Sequence, residues 1–233
     1  MKTVWKLYAA TVLLSACGAI SLLSACTETQ SAEEPKLVIK PSLTDRIQAA
    51  VTEEQKNGLE ALPEEIAGLK SVEVADREKK QRGAGFTRVY SNDNKDLMAT
   101  VFVYNNQNFG VSEETDPAME ALMDRHLQEI QAHQDAGLYA DVKAGNVKPR
   151  DFRWKSVKYQ VLEAEVQFSQ KDEEKKAFLV LGANKDLMSY IRIRYTYPKA
   201  KQAEMNKKKD VFTRTVMVSL HDFASVRKTP AAR

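Results

Sequence analysis

Two stretches in the second half of the chain alternate strictly. Leu162, Ala164, Val166 and Phe168 are separated by Glu163, Glu165 and Gln167; Ile191, Ile193, Tyr195 and Tyr197 are separated by Arg192, Arg194 and Thr196. Successive side chains on a strand point to opposite faces, so this period predicts strands with one face on a core and one toward water. On that reading Leu162, Val166, Ile191 and Ile193 belong to the core, and Glu163, Glu165, Arg192 and Arg194 face solvent. Turn-prone Lys171-Asp172-Glu173-Glu174 and Gly182-Ala183-Asn184-Lys185-Asp186 flank a third strand, Ala177 to Leu181. Connections this short require antiparallel pairing.

The first half repeats the theme less regularly. Val72 and Val74 suggest one strand, and Phe86 to Tyr90 another after Gly83-Ala84-Gly85. Leu97 to Tyr104 follows the turn Asn92-Asp93-Asn94 and is apolar on both faces, which predicts a central strand covered on both sides. Helical spacing marks three further segments. Ser42 and Asp45 open the first, whose stripe is Leu43, Ile47, Ala50 and Val51 and whose expected stop is Gly58. Leu62-Pro63 and Gly68 then mark a loop. Asp116-Pro117 opens the second helix, with Met119, Leu122, Met123, His126, Leu127 and Ile130 on one side and Gly137 at its end. Residues 138–150 read as a long loop through Gly145-Asn146 and Pro149. The last helix runs from about Ala200 to Val226, burying Phe212, Val216, Leu220 and Phe223. Strands, helix, strands, helix around an antiparallel sheet is an α+β fold. Over about residues 60 to 226 this order resembles the PsbP-like fold, shared by an extrinsic photosystem subunit and a Ran-binding import factor. The resemblance rests on element order and implies no functional residue.

The N-terminus follows a different pattern. Lys2 and Lys6 precede a charge-free stretch from Leu7 to Cys26 that ends Leu23-Ser24-Ala25-Cys26. A basic start, an apolar core and small residues before a cut read as a secretory signal peptide. The ending resembles the lipobox of bacterial lipoproteins. In that family the cysteine thiol takes a diacylglyceride, the signal is cut just before it, and the cysteine becomes the first residue. Leu14-Ser15-Ala16-Cys17 fits the same short pattern. Cutting there would leave Gly18-Ala19-Ile20-Ser21-Leu22-Leu23 exposed beside the anchor, so Cys26 is the expected lipidation site. The competing reading is an uncleaved membrane helix, since about 20 apolar residues span a bilayer. The stretch is rich in Ala, Ser and Thr, which insert weakly. Expected organisation is therefore a signal at 1–25, a lipidated Cys26 with a polar tether at 26–40, and one α+β domain at 41–233. The resemblance implies a stable membrane anchor, because two or more acyl chains hold a protein that one holds only marginally. It also bears on location: an Asp after the cysteine retains such proteins in the inner membrane, and Thr27 is not Asp, which points to the periplasmic side of the outer membrane.

Composition removes several options. The net charge of +3 includes Lys2 and Lys6, so the mature chain is close to neutral and suggests no nucleic-acid partner. Both cysteines lie at or before Cys26, which excludes an internal disulfide, thiolate catalysis and a cysteine-ligated metal from the domain. No phosphate-binding glycine loop or nucleophile-elbow motif is present, and no cofactor is expected. His126, Glu129 and His133 share one helix face and are metal-ligand types. The two histidines lie two turns apart, roughly 10 Å, so a buried, satisfied histidine is the expected reading and no metal site is assigned. His221 and Asp222 are helix neighbours pointing apart. Lys207-Lys208-Lys209 reads as a solvated helix face, with anionic lipid as the competing reading. Phe152, Trp154 and Tyr159 read as edge packing, with a pocket as the alternative. Arg192 and Arg194 are the candidate ligand or partner surface, their competing role being salt bridges to Glu163 or Glu165.

The expected function is a membrane-anchored envelope lipoprotein with a non-catalytic binding domain, held to the membrane by lipid and engaging an envelope protein. A small-ligand carrier, or an envelope enzyme with a pocket between sheet and helix, remains the alternative. Radiolabelled palmitate incorporation checks the anchor. Labelling should vanish in Cys26→Ser and persist in Cys17→Ser, and the reverse pattern would move the lipobox to Cys17.

Overall fold

The computed structural model describes residues 40–112 and 117–228, and those from Pro41 onward belong to one compact unit. The signal peptide, Cys26, its tether and the cap residue Asp116 lie outside the described residues. The chain enters through helix α1 (Leu43–Glu60) and strands β1 (Glu65–Ile66), β2 (Leu69–Asp76), β3 (Phe86–Ser91) and β4 (Met98–Tyr104). Helix α2 (Pro117–Asp135) crosses to β5 (Ala140–Ala144) and β6 (Lys148–Trp154). Strands β7 (Val157–Gln170), β8 (Glu173–Asn184) and β9 (Ser189–Pro198) then lead through a short 3-10 turn into helix α3 (Gln202–Lys228). All strands form one antiparallel sheet in the order β1-β2-β3-β4-β9-β8-β7-β5, with β6 also on β7. The α+β class holds, and β4 is central as expected.

The expected wet face is corrected. The sheet lies between helices. On one side Leu59 of α1 and Phe212, Val216 and Leu220 of α3 pack against Ala99, Val101, Val180, Ile191 and Ile193. On the other, Met119, Leu122, Met123 and Ile130 of α2 pack against Leu162, Ala164, Val166, Leu179 and Leu181. Leu162 and Ile193 are therefore both core residues on opposite faces. The charged residues between them meet protein as well. Glu163 accepts from Arg150, which also reaches Asp210 of α3, each at 2.8 Å. Glu165 pairs with the buried Lys176, and Arg192 lies beneath α2. Period two sorts the two faces but does not say which is wet, because long cationic side chains bury their stems and pair their heads.

Other boundaries also shift. The expected loop at 138–150 contains β5 and β6, both laid on the outer edge of the long β7. Their residues are mostly exposed and carry no apolar alternation, and Pro149 is tolerated because it sits on an edge strand. The expected loop after Leu62 holds β1, joined to β2 by Ala67 and Gly68 at φ 52° and 74°, a turn that suits the right-handed strand twist. Helix α1 does not stop at Gly58: that glycine lies inside it, where a Cβ would sit 3.4 Å from Leu220 and Phe223 of α3. Of its expected stripe only Val51 is buried, with Ala50 exposed and Leu43 70% and Ile47 36% exposed. The buried side reads Gln48, Val51, Gln55 and Leu59. Asn105 donates to Gln48 Oε1 at 3.3 Å and Gln55 donates to Ser189 Oγ at 2.9 Å. These bonds let a polar residue occupy a core position. The end of α2 follows expectation. Gly137, at φ 71°, donates to the Gln134 carbonyl at 2.8 Å, and Leu138 donates to that of His133 at 2.9 Å.

One buried cation ties α1 to the sheet. The last carbonyls of a helix lack partners within it. Arg88 of β3 supplies them, donating to the carbonyls of Leu59, Glu60 and Leu62 at 3.2, 3.3 and 2.8 Å and to Ser71 Oγ at 2.9 Å. Glu64 balances its charge. Arg88→Ala should destabilise the fold by about 3–5 kcal/mol, the range for removing one member of a buried ionic network. Arg88→Lys should restore little, because one ammonium cannot reproduce the fork. Urea melts decide, and a loss below about 1 kcal/mol for Arg88→Ala would show that α1 ends soundly without this contact.

Candidate functional site

Helix α2 packs on β5, β7 and β8 and ends its cover near β9. At that step a cleft of ≈ 270 Å³ opens. Its floor is Phe102 and Tyr104 of β4 with Arg192 of β9, and one wall is Leu122, Arg125, His126 and Glu129 of α2. Gln81, Ala84 and Asn106 form the opposite rim. The β2–β3 loop that carries Gln81 and Ala84 is held by its own chemistry. The Glu78 carboxylate accepts from the backbone of Gly83 and Gly85 at 2.9 and 2.8 Å. The Gly83 carbonyl accepts from the Asn105 and Asn106 backbone at 3.3 and 2.9 Å. Gly85 has φ 65°, and a Cβ there would stand 1.9 Å from the Val103 carbonyl oxygen, so only glycine fits.

The pairing of β4 with β9 sets Phe102 opposite Arg192, and the guanidinium lies over the Phe102 ring at 4.0 Å. Its NH1 stands 2.5 Å from His126 Nδ1 and 3.1 Å from Glu129 Oε2. A guanidinium only donates, so His126 Nδ1 accepts and the ring proton belongs on Nε2, which donates to the Tyr104 hydroxyl at 2.7 Å. His126 is 5% exposed. Burial pushes its imidazole below the ordinary value, outweighing the opposing contact with Glu129, and Arg192 adds to the depression. The contact with His126 Nδ1 at 3.2 Å, effective once that ring is protonated, and the Arg192 charge hold Glu129 down at about 2 against the cost of its partial burial. Burial pushes the Tyr104 phenol up. At neutral pH the network is therefore a cation, a carboxylate, a neutral imidazole and a neutral phenol.

The predicted candidates scatter. Arg192 and His126 meet in the cleft together with Glu129. Arg194 faces the same layer but donates to the Tyr139 hydroxyl at 3.1 Å and does not line the cleft. Neither arginine pairs with Glu163 or Glu165, which lie on the opposite sheet face. His133 packs edge-on against Tyr139 at 5.2 Å. Among the described residues no group of three His, Cys, Asp or Glu side chains is placed to hold a metal. His221 stands against Tyr159 at 5.7 Å. In the lysine run, Lys208 donates to the Ala67 carbonyl at 3.0 Å and Lys209 lies 3.8 Å over the Phe178 ring. Phe152 stacks on Tyr159 at 4.9 Å, whereas Trp154 opens on a depression with Arg214, Thr215, Val218 and Ser219. Phe102, Tyr104 and Arg125 were not singled out as site residues by sequence. The apolar face of the Leu97 to Tyr104 strand contained two of them, without any sign that the face ends at a cleft.

No family model matches the sequence, and no curated protein does. Among solved structures the chain is similar to cyanobacterial PsbP (CyanoP) from Synechocystis sp. PCC 6803, with a TM-score of 0.41 and 10% identity over 64% of this chain and 85% of that one. It is also similar to the Saccharomyces cerevisiae Ran-binding protein Mog1p, with a TM-score of 0.32 and 10% identity over 69% of this chain and 88% of that one. Likeness at this level concerns the arrangement of elements, and no activity or partner passes from either protein to this chain.

The network gives the domain an acid-sensitive side. A histidine held neutral by burial binds its proton later than in the unfolded chain, so stability falls as pH drops from about 6.5. Glu129 adds a second loss from about 4.5 down to about 2, moderated by its exposure to solvent. Arg125 on the same helix, Arg192 below and Glu129 face the ring, and the Tyr104 hydroxyl meets its Nε2. Wild type should lose more stability than His126→Gln between about pH 7.5 and about pH 5 in urea melts. Parallel pH profiles would show that His126 does not carry this dependence.

Proposed function

We propose that the chain is a lipid-anchored envelope protein whose α+β domain is a non-catalytic binding module that engages its partner at the cleft beside α2. Support for the anchor is the basic start, charge-free stretch and Leu23-Ser24-Ala25-Cys26 ending. The resemblance to lipoproteins, with Thr27 following the cysteine, favours the periplasmic face of the outer membrane. The single observation that carries the binding half is the Arg192 guanidinium, stacked on Phe102 at the floor of an open cleft. A guanidinium with donors left over at a concave surface is suited to recognising a partner group.

The same geometry speaks for binding rather than proton transfer. Both nitrogens of His126 are engaged by Arg192 and Tyr104, and the Tyr104 phenol is held protonated.

Fractionation and affinity capture from detergent-solubilised envelope test both halves. Wild type should partition with membranes and retain a defined species, Cys26→Ser should leave the membrane fraction, and Phe102→Ala should stay anchored while losing that species. Retention unchanged by Phe102→Ala, with the variant's melting behaviour intact, would place the binding surface elsewhere.

A further inference from the structure

We infer that the cleft beside α2 receives a carboxylate group, held between the guanidinium groups of Arg192 and Arg125 above the Phe102 ring. The inference rests on the binding role proposed for this cleft and names the chemistry that the cleft selects.

Donors are in excess there. Arg192 spends NH1 on His126 and Glu129, while its NH2 makes no hydrogen bond among the described residues. Its Nε is buried without a partner. Arg125 lines the same cleft from α2, is exposed, and makes no ion pair among the described residues. Gln81 and Asn106 add neutral amides at the rim. Against these stands one carboxylate, Glu129, already shared with Arg192. The cleft therefore has a surplus of cationic donors and matches an anion.

Several features choose among anions. The Arg192 guanidinium is planar and lies over Phe102 at 4.0 Å, so the NH2 donors it has left lie in one plane, as a carboxylate requires. Glu129 lines the wall and repels a dianionic phosphate more strongly than a monoanionic carboxylate. An aromatic floor also favours a carboxylate carried on an apolar stem, as in glutarate or an acidic side chain. The lysine run lies on α3, which covers the sheet face opposite this cleft.

The full chain in detergent is titrated calorimetrically with four probes: an Asp/Glu-rich hexapeptide, its Asn/Gln counterpart, glutarate and inorganic phosphate. The acidic peptide or glutarate should bind. The Asn/Gln peptide, and the acidic probe against Arg125→Gln, should each bind roughly tenfold more weakly or worse, the scale of one charge-assisted hydrogen bond. Arg125 is exposed, so its variant tests binding without disturbing the core; Arg192→Lys keeps the charge but not the fork and should lose affinity as well. Binding should weaken with added salt. A peptide preference over glutarate assigns the carboxylate to a protein partner, and equal binding assigns it to a free acid; both support the inference. Phosphate binding as tightly as the acidic probes, binding unchanged by Arg125→Gln, or no binding at all would overturn it. If Arg125→Gln still captures the wild-type species from envelope, the binding role stands and only the carboxylate chemistry falls.

Discussion

The ladder between β4 and β9 is the contact on which the molecule depends. It runs from Met98 against Thr196 to Tyr104 against Tyr190 without interruption. It also joins two hairpin systems made from separate parts of the sequence, β1 to β4 and β5 to β9. The chain reaches its far edge only by crossing through α2 and then walks back to the seam. Long-range pairing of this kind is costly to nucleate, and both flanking helix layers hold it. Ala99, Val101 and Val103 on one face and Tyr104 on the other are all buried. Because registers are set by the pleat, a slip of one residue at this seam would put Arg192 and Phe102 on opposite faces of the sheet. The cleft is a property of that register before it is a property of any one side chain.

Ionic groups inside the layers follow a common rule. Arg88, Arg150, Lys176 and Arg192 each bring a cation into a partly or wholly buried place, and each meets protein carboxylates or carbonyls there. Removing charge from water costs several kcal/mol per ion unless partners replace the hydration. Arg88 meets that cost with three carbonyls, Ser71 and Glu64, so its donors serve the fold. Arg192 meets it in part, through His126, Glu129 and the Phe102 ring, and keeps donors in hand. Arg88 is thus satisfied by the fold, whereas Arg192 is left with donors for the ligand proposed above.

Strand identity was legible where one period ran long enough, at 162–168, 177–181 and 191–197, and in the apolar run at 97–104. The helix starting at Pro117 and its stop at Gly137 were legible from cap chemistry. Strands β5 and β6 were not, because an exposed edge strand buries too little to impose alternation. The inner face of α1 was hidden by Gln48 and Gln55, which read as surface residues until Asn105 and Ser189 supply their partners. Arg192 was found as a candidate and His126 as a buried histidine, but nothing in the spacing joined them. Their meeting needs the β4–β9 seam and the placement of α2, both set by contacts distant in sequence.

A helix layer that covers only part of a sheet must end somewhere, and its edge is where charge is most economically kept. Under the middle of α2 a guanidinium would need every donor satisfied by protein. Fully outside, it would be hydrated and selective for nothing. Arg192 stands between these limits, with its side chain 16% exposed. One side of the guanidinium is fixed by His126 and Glu129, and the cleft receives what remains. That fixation restricts the rotamers of a long side chain before any ligand arrives, which lowers the entropy lost on binding. His126 takes part in the restraint only while neutral, since a protonated Nδ1 would turn from acceptor to competing donor beside Arg192. The burial that makes the imidazole neutral also positions the guanidinium, so stability of the α2 layer and readiness of the cleft draw on one interaction.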